Sequence, residues 1–77
     1  MSFRLFTRTG CTSCEEVKTF LENSDIQFIH INLDEENVAE ANFVKIVPAL
    51  FKENRLMAYG SDIVTYLSTR SDVLRSA

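Results

Sequence analysis

The spacing of apolar positions alternates between the periods of strand and helix, and each change of period marks an element. Phe3 to Thr7 is a run of apolar and β-favouring residues with Arg4 as its only charge, which predicts a short strand arriving at Thr9-Gly10. From Thr12 the period becomes helical. Cys14, Val17, Phe20 and Leu21 recur at spacings of three and four, with Glu15, Glu16, Lys18 and Glu22 on the opposite face. Glu15 and Glu16 in the first turn complement the helix dipole. Asn23-Ser24-Asp25 ends this helix, and Ile26 to Leu33, rich in Ile and Phe, predicts a second strand. Strand, helix and strand within about 30 residues form a βαβ unit with parallel strands and a right-handed crossover.

The second half is patterned differently. Asp34-Glu35-Glu36 predicts a helix start with Asp34 as N-cap, and Val38, Ala41 and Phe43 supply a short apolar face. Pro48 excludes a helix interior, so Ala49 to Phe51 is expected as a strand entered at its first residue, where the missing N–H is tolerated. Glu53-Asn54 then serves as a two-residue hairpin turn, and Arg55 to Tyr59 returns antiparallel. Gly60-Ser61-Asp62 breaks the strand and offers an N-cap to a last helix whose face is Ile63, Tyr66 and Leu67. The expected fold class is α/β, in the order βαβ-α-ββα, with a four-stranded mixed sheet flanked by helices in a single domain over residues 1–77.

Seventy-seven residues leave no room for a second lobe, and a core of this size must take most of the six Phe and the branched aliphatics. Eight Lys and Arg against eleven Asp and Glu give a net charge of −3. The basic residues are scattered and make no phosphate-tracking stripe, so nucleic acid is not an expected partner. The N-terminus lacks an apolar signal core, and the longest uncharged apolar stretch, Ile46 to Phe51, is far short of a membrane span. No membrane association is expected, and the location expected is cytoplasmic.

Both cysteines lie in one Cys11-Thr12-Ser13-Cys14 motif on the turn between the first strand and the first helix. A Cys-x-x-Cys in a βαβ setting reads as a redox pair. The helix N-terminus presents unpaired N–H groups and a partial positive charge to the first sulfur, which favours its thiolate. Such first thiols titrate at about 3.5–7.5 rather than about 8.5. Cys14 falls one turn later, in line with Val17 and Phe20, and suits the resolving thiol. Zinc is the main competing use of the spacing. A closed site needs four ligands, however, and the chain offers only Cys11, Cys14 and the lone His30 as thiol and imidazole donors. A structural disulfide would close almost no loop. His30, inside the second strand, is assigned no chemistry, and no metal is expected.

Order and motif together resemble the glutaredoxins, particularly short bacterial and phage-type dithiol members with a thioredoxin-like fold, over nearly the whole chain. Thr7-Arg8-Thr9-Gly10-Cys11-Thr12-Ser13-Cys14 is similar to the family's Thr-Lys-Pro-Gly-Cys-Pro-Tyr-Cys, with Arg8 in the basic position. Lys45-Ile46-Val47-Pro48 resembles its basic-Thr-Val-Pro segment, and Tyr59-Gly60-Ser61-Asp62 its Gly-Gly-Ser/Cys-Asp turn before the last helix. The departures are Thr12 and Ser13 for Pro and an aromatic, Ile46 for Thr, and Tyr59 for the first Gly.

The resemblance implies a monomeric, glutathione-dependent thiol–disulfide oxidoreductase. It would serve electron transport and cell redox homeostasis by reducing protein disulfides and glutathione mixed disulfides, with Cys11 and Cys14 as the catalytic pair and redox disulfide. It also implies a glutathione site of Arg8, Thr12, Ser13, Lys45, Val47, Pro48, Ser61 and Asp62. In that site Val47-Pro48 is a cis peptide beside the sulfurs, Ser61 and Asp62 form an anion site at a helix N-terminus, and Arg8 and Lys45 hold the glycyl carboxylate. Without the resemblance, Pro48 reads as a trans residue starting a strand, Ser61 as a cap, and Arg8 and Lys45 as solvated charges. Two alternatives stand beside it. One is a redoxin dedicated to ribonucleotide reductase and recharged by thioredoxin reductase; the other is a carrier in which Cys11 of two chains and two glutathiones ligate an iron-sulfur cluster.

Overall fold

The computed structural model describes residues 3–68. Strand β1 (Phe3–Thr7) leads into helix α1 (Thr12–Asn23) and strand β2 (Phe28–Asn32); a 3-10 turn (Ala39–Asn42) precedes strands β3 (Ala49–Lys52) and β4 (Arg55–Tyr59). Helix α2 follows over 62–68. The strands form one sheet in the order β2-β1-β3-β4. β1 runs parallel to β2 and antiparallel to β3, and β3 and β4 form a hairpin. The sheet is mixed, as the order of elements required.

Alternation along the strands splits the core between two faces. On one, Leu5 and Leu50, partners across the β1–β3 ladder, pack with Val17 and Leu21 of α1 and Ile63 and Leu67 of α2. All six are essentially buried, and each side chain of this kind contributes about 1.5–3 kcal/mol by leaving water. On the other face Phe6, Ile31, Ala49 and Phe51 pack with Leu33 and Val44, the rings of Phe6 and Phe51 meeting edge to face at 5.2 Å. α1 ends where Ser24 donates its backbone N–H to the Leu21 carbonyl and its hydroxyl to the Phe20 carbonyl. Asp25 then takes a left-handed φ of 58° that reverses the chain.

The helix expected from Asp34 is a correction. Residues 33–36 form a turn, closed by the N–H groups of Glu35 and Glu36 on the Asn32 carbonyl. Only the four-residue 3-10 turn Ala39–Asn42 follows. The Asp34 carboxylate caps no helix because it is engaged by Arg8 and Thr9. The apolar face is also too short to hold a helix on the sheet: Val38 and Ala41 are half-buried, whereas Phe43 is 59% exposed. With so little cover, the β3–β4 side of this face stays open. Ile46, Leu56 and Tyr59 lie there with Phe43, around a groove of about 410 Å³.

Arg4 compensates for part of that cover. Its guanidinium reaches Glu40 of the 3-10 turn at 2.6 Å and the Glu53 carbonyl of the hairpin at 2.7 Å, while lying over the Phe6 and Phe51 rings. The hairpin needs the support, because Glu53 holds a φ of 57° that a glycine would ordinarily supply. Both partners of the Arg4–Glu40 pair are about one-fifth exposed. The Arg4 hydrogen bond, aided by Glu40's own backbone N–H, holds the Glu40 carboxyl below its ordinary value. A lowered carboxyl pKa contributes stability that is complete above the unfolded value of about 4.3 and is lost as pH falls through the folded one. Glu40→Gln is therefore expected to cost about 1 kcal/mol at neutral pH. It should also flatten the acid limb of stability below about pH 5, measured by urea unfolding against pH. An unchanged acid limb would refute this role for Arg4.

Candidate functional site

The register brings four chain segments to one end of the sheet. Thr7 ends β1 opposite Asn32 at the end of β2; Phe6 pairs with Ala49, the first residue of β3; and Ala49 pairs with Tyr59, the last of β4. Hence the loop 8–11, the turn beginning at Leu33, the segment ending in Val47-Pro48 and the turn 60–62 all leave from the same edge. The carboxyl ends of parallel strands are where open α/β sheets bind ligands.

Cys11 is the N-cap of α1, and its Sγ accepts the backbone N–H of Cys14 at 3.1 Å. Gly10 before it has a φ of +76°, with nothing within 4 Å of where a Cβ would stand. Its requirement is therefore conformational rather than steric, and it lets the strand turn abruptly into the helix. Cys11 and Cys14 are joined as a disulfide, their Cα atoms 5.2 Å apart. Cys11 is half-exposed and Cys14 is 1% exposed. That asymmetry matches an attacking sulfur at the surface and a resolving sulfur behind it.

Six of the other residues expected at the site fall into three pairs. Thr12 and Ser13 are exposed in the first turn of α1, beside the disulfide. Val47 is half-buried and Pro48 fully buried; the bond between them is cis, and the Pro48 carbonyl accepts the Gly60 N–H at 2.7 Å. This contact fastens the turn that carries Ser61 and Asp62 to the proline segment. Ser61 and Asp62 are exposed at the start of α2, with the Val64 N–H on the Ser61 carbonyl. Gly60, at φ +63°, makes the reversal between β4 and this helix.

The two cations differ. Lys45 is exposed on the rim of the open groove, which Tyr59 also lines. Arg8 is paired with Asp34 at 2.7 Å, and the other Asp34 oxygen accepts the Thr9 N–H at 2.9 Å. These two donors, the Thr9 N–H first, hold the Asp34 carboxyl below its ordinary value. His30 stands apart from the dithiol chemistry, bonded through Nε2 to the buried Thr7 hydroxyl at 2.7 Å. Among the described residues no cluster of His, Cys, Asp and Glu is arranged to hold a metal, and no helix is long and apolar enough to cross a membrane.

Comparison with known proteins agrees with this geometry. The glutaredoxin family model matches residues 4–57, which spans the dithiol and the Val47-Pro48 segment. The chain belongs to the glutaredoxin family. The Gly60–Asp62 turn lies beyond the matched segment. No curated protein matches the chain significantly in sequence. Among solved structures, the thioredoxin-like protein BC3987 is 15% identical with a TM-score of 0.70, over 87% of this chain and 96% of its own. Buckwheat glutaredoxin, solved as a complex with glutathione, is 21% identical with a TM-score of 0.69, over 95% of this chain and 73% of its own. The holo form of glutaredoxin C1 from Populus tremula x tremuloides is 23% identical with a TM-score of 0.66, over 95% and 79%. These likenesses establish the thioredoxin-like fold. Glutaredoxin membership, with the close Cys11–Cys14 pair, implies thiol–disulfide oxidoreductase activity.

Proposed function

We propose that this glutaredoxin is a glutathione-dependent oxidoreductase that reduces protein disulfides and glutathione mixed disulfides in the cytoplasm. The observation that supports it most is the convergence at one sheet end of a surface-facing sulfur, the Val47-Pro48 segment and the Ser61-Asp62 helix start, the last two tied by the Gly60–Pro48 hydrogen bond. A γ-glutamyl carboxylate at the start of α2 meets the backbone N–H groups of Ser61 and Asp62, those of Ile63 and Val64 being turned to the Gly60 and Ser61 carbonyls, and Asp62 accepts from the adjacent α-ammonium group. Val47 then pairs with the tripeptide backbone, Thr12 and Ser13 flank its sulfur, and Arg8 and Lys45 face the glycyl carboxylate.

In the reaction the Cys11 thiolate attacks the glutathione sulfur of a mixed disulfide. A Cys11–glutathione disulfide forms, and the substrate leaves as a thiolate that takes a proton from solvent. A second glutathione thiolate attacks that adduct, releasing glutathione disulfide and restoring Cys11. The net step consumes one free glutathione: the substrate–glutathione disulfide is exchanged for glutathione disulfide, and the substrate sulfur is released as a thiol. With a protein disulfide, Cys11 first bonds to one substrate sulfur. Cys14 then displaces the protein as its dithiol, and two glutathiones reopen the Cys11–Cys14 bridge.

The deciding experiment follows NADPH consumption with a small glutathione mixed disulfide. One arm supplies glutathione and glutathione reductase, the other thioredoxin reductase. Turnover confined to the glutathione arm is the expected result. Turnover confined to the other would transfer the protein to the class recharged by thioredoxin reductase, whose partners include ribonucleotide reductase.

A further inference from the structure

Asp34 sits where the ladder between β1 and β2 stops. The last backbone rung runs from the Leu33 N–H to the Thr7 carbonyl at 2.8 Å. Beyond it the two chains part, yet the Asp34 side chain continues the connection: Oδ2 accepts the Thr9 N–H at 2.9 Å and Oδ1 accepts from Arg8 Nη1 at 2.7 Å. Asp34 is itself fixed from behind, since its N–H donates to Asn32 Oδ1 at 2.8 Å and the Asn32 amide reaches the Thr9 hydroxyl at 3.4 Å. Thr9 stands two residues before Cys11, separated from it only by Gly10, whose φ of +76° makes the turn into α1.

We infer that Asp34 is a positioning residue for the dithiol loop, fixing the approach to Cys11 through Thr9 and orienting Arg8 toward the carboxylate end of glutathione. Both members of the ion pair are about 40% exposed, and a pair so exposed adds little to global stability. Its effect is local. A guanidinium carries five N–H donors, and the contact to Asp34 engages one nitrogen, so a second carboxylate can be taken without breaking the first pair. An arginine already held in place loses less freedom when that carboxylate arrives. The Arg8 half of the inference rests on the glutathione reading; the Thr9 half does not.

Two measurements on Asp34→Ala, Asp34→Asn, Arg8→Ala and the double variant test it. The first is amide hydrogen exchange in the oxidised protein. The Thr9 amide, bonded to Asp34, and the Cys14 amide, bonded to Cys11 Sγ, should exchange about tenfold faster in Asp34→Ala, with Leu5 and Phe6 unchanged and Asp34→Asn restoring most of the protection through its remaining acceptor. Unchanged protection at Thr9 and Cys14, or a loss equally large in β1, overturns the loop brace. The second is steady-state turnover of the glutathione mixed disulfide of 2-mercaptoethanol. KM should rise about fivefold in Asp34→Ala with kcat within about twofold, and the double variant should be no worse than Arg8→Ala. Independent, multiplying losses, or a KM that falls because Asp34 had competed for Arg8, overturn the Arg8 half. Absence of glutathione turnover in the unaltered protein overturns the function proposed above and the Arg8 half with it, while exchange still decides the brace.

Discussion

Replacing Cys11 by Ser is expected to remove all disulfide exchange, whereas Cys14→Ser is expected to keep turnover of glutathione mixed disulfides and to accumulate Cys11-linked adducts. The asymmetry follows from position. Cys11 caps α1 and is half-exposed, so a disulfide can reach its sulfur in line; Cys14 is buried one turn inside and meets only a sulfur already bonded to Cys11. The first substitution removes the nucleophile of every step. The second removes only the exit that a protein mixed disulfide needs, leaving the glutathione exit open. Once reduced, Cys11 should be alkylated with an apparent pKa below the roughly 8.5 of a free thiol, because it caps α1 and the Cys14 N–H of the first turn is directed at its sulfur. Turnover by each variant, with mass spectrometry of the adducts, checks this. Equal loss in both variants, or a thiol that titrates at its ordinary value, would remove the division of roles.

Local signals agree with tertiary ones across the βαβ unit and the hairpin. The βαβ unit was legible because the period changes from 2 to 3.6 and back around one turn, and the Cys-x-x-Cys lies on that turn. The hairpin was legible from Glu53-Asn54, although the residue at positive φ is a glutamate held by Arg4 from across the sheet. A second helix is expected because Asp34-Glu35-Glu36 fits an N-terminal cap in isolation. What that pattern cannot express is that parallel pairing sets Asp34 beside Arg8 and Thr9, where its carboxylate has stronger partners than a short helix offers. The usable signal is an acid, Asp34, two residues past the second strand of a parallel pair whose first strand is followed at once by the basic Arg8. Phe43, expected on the apolar face with Val38 and Ala41, is 59% exposed. It is exposed because the helix that would have turned it inward is reduced to one 3-10 turn.

Asp62→Ala is expected to lower catalytic efficiency with glutathione about tenfold or more, since losing a hydrogen bond between charged groups costs about 1.5–3 kcal/mol. The turn bearing Asp62 is fixed to the Val47-Pro48 segment by the Gly60–Pro48 hydrogen bond, so an α-ammonium group held there sets where the rest of the tripeptide lies. Binding is then directional, with the γ-glutamyl end at α2 and the sulfur presented to Cys11. The loss should fall on glutathione-dependent steps alone. Iodoacetamide, which carries no ammonium group, should alkylate Cys11 of the variant at the unaltered rate and with the unaltered pH dependence, because Asp62 belongs to a different helix from the one that Cys11 caps. Asp62→Asn separates charge from shape: an amide oxygen still accepts a hydrogen bond but gives up the ion pair, so its efficiency should lie between those of Ala and Asp. Glutathione kinetics unchanged in Asp62→Ala would mean that the α2 start holds no γ-glutamyl group. The exposed Tyr59 immediately before the turn would then be the first residue to test as its obstruction, and recharging by thioredoxin reductase would become the stronger reading.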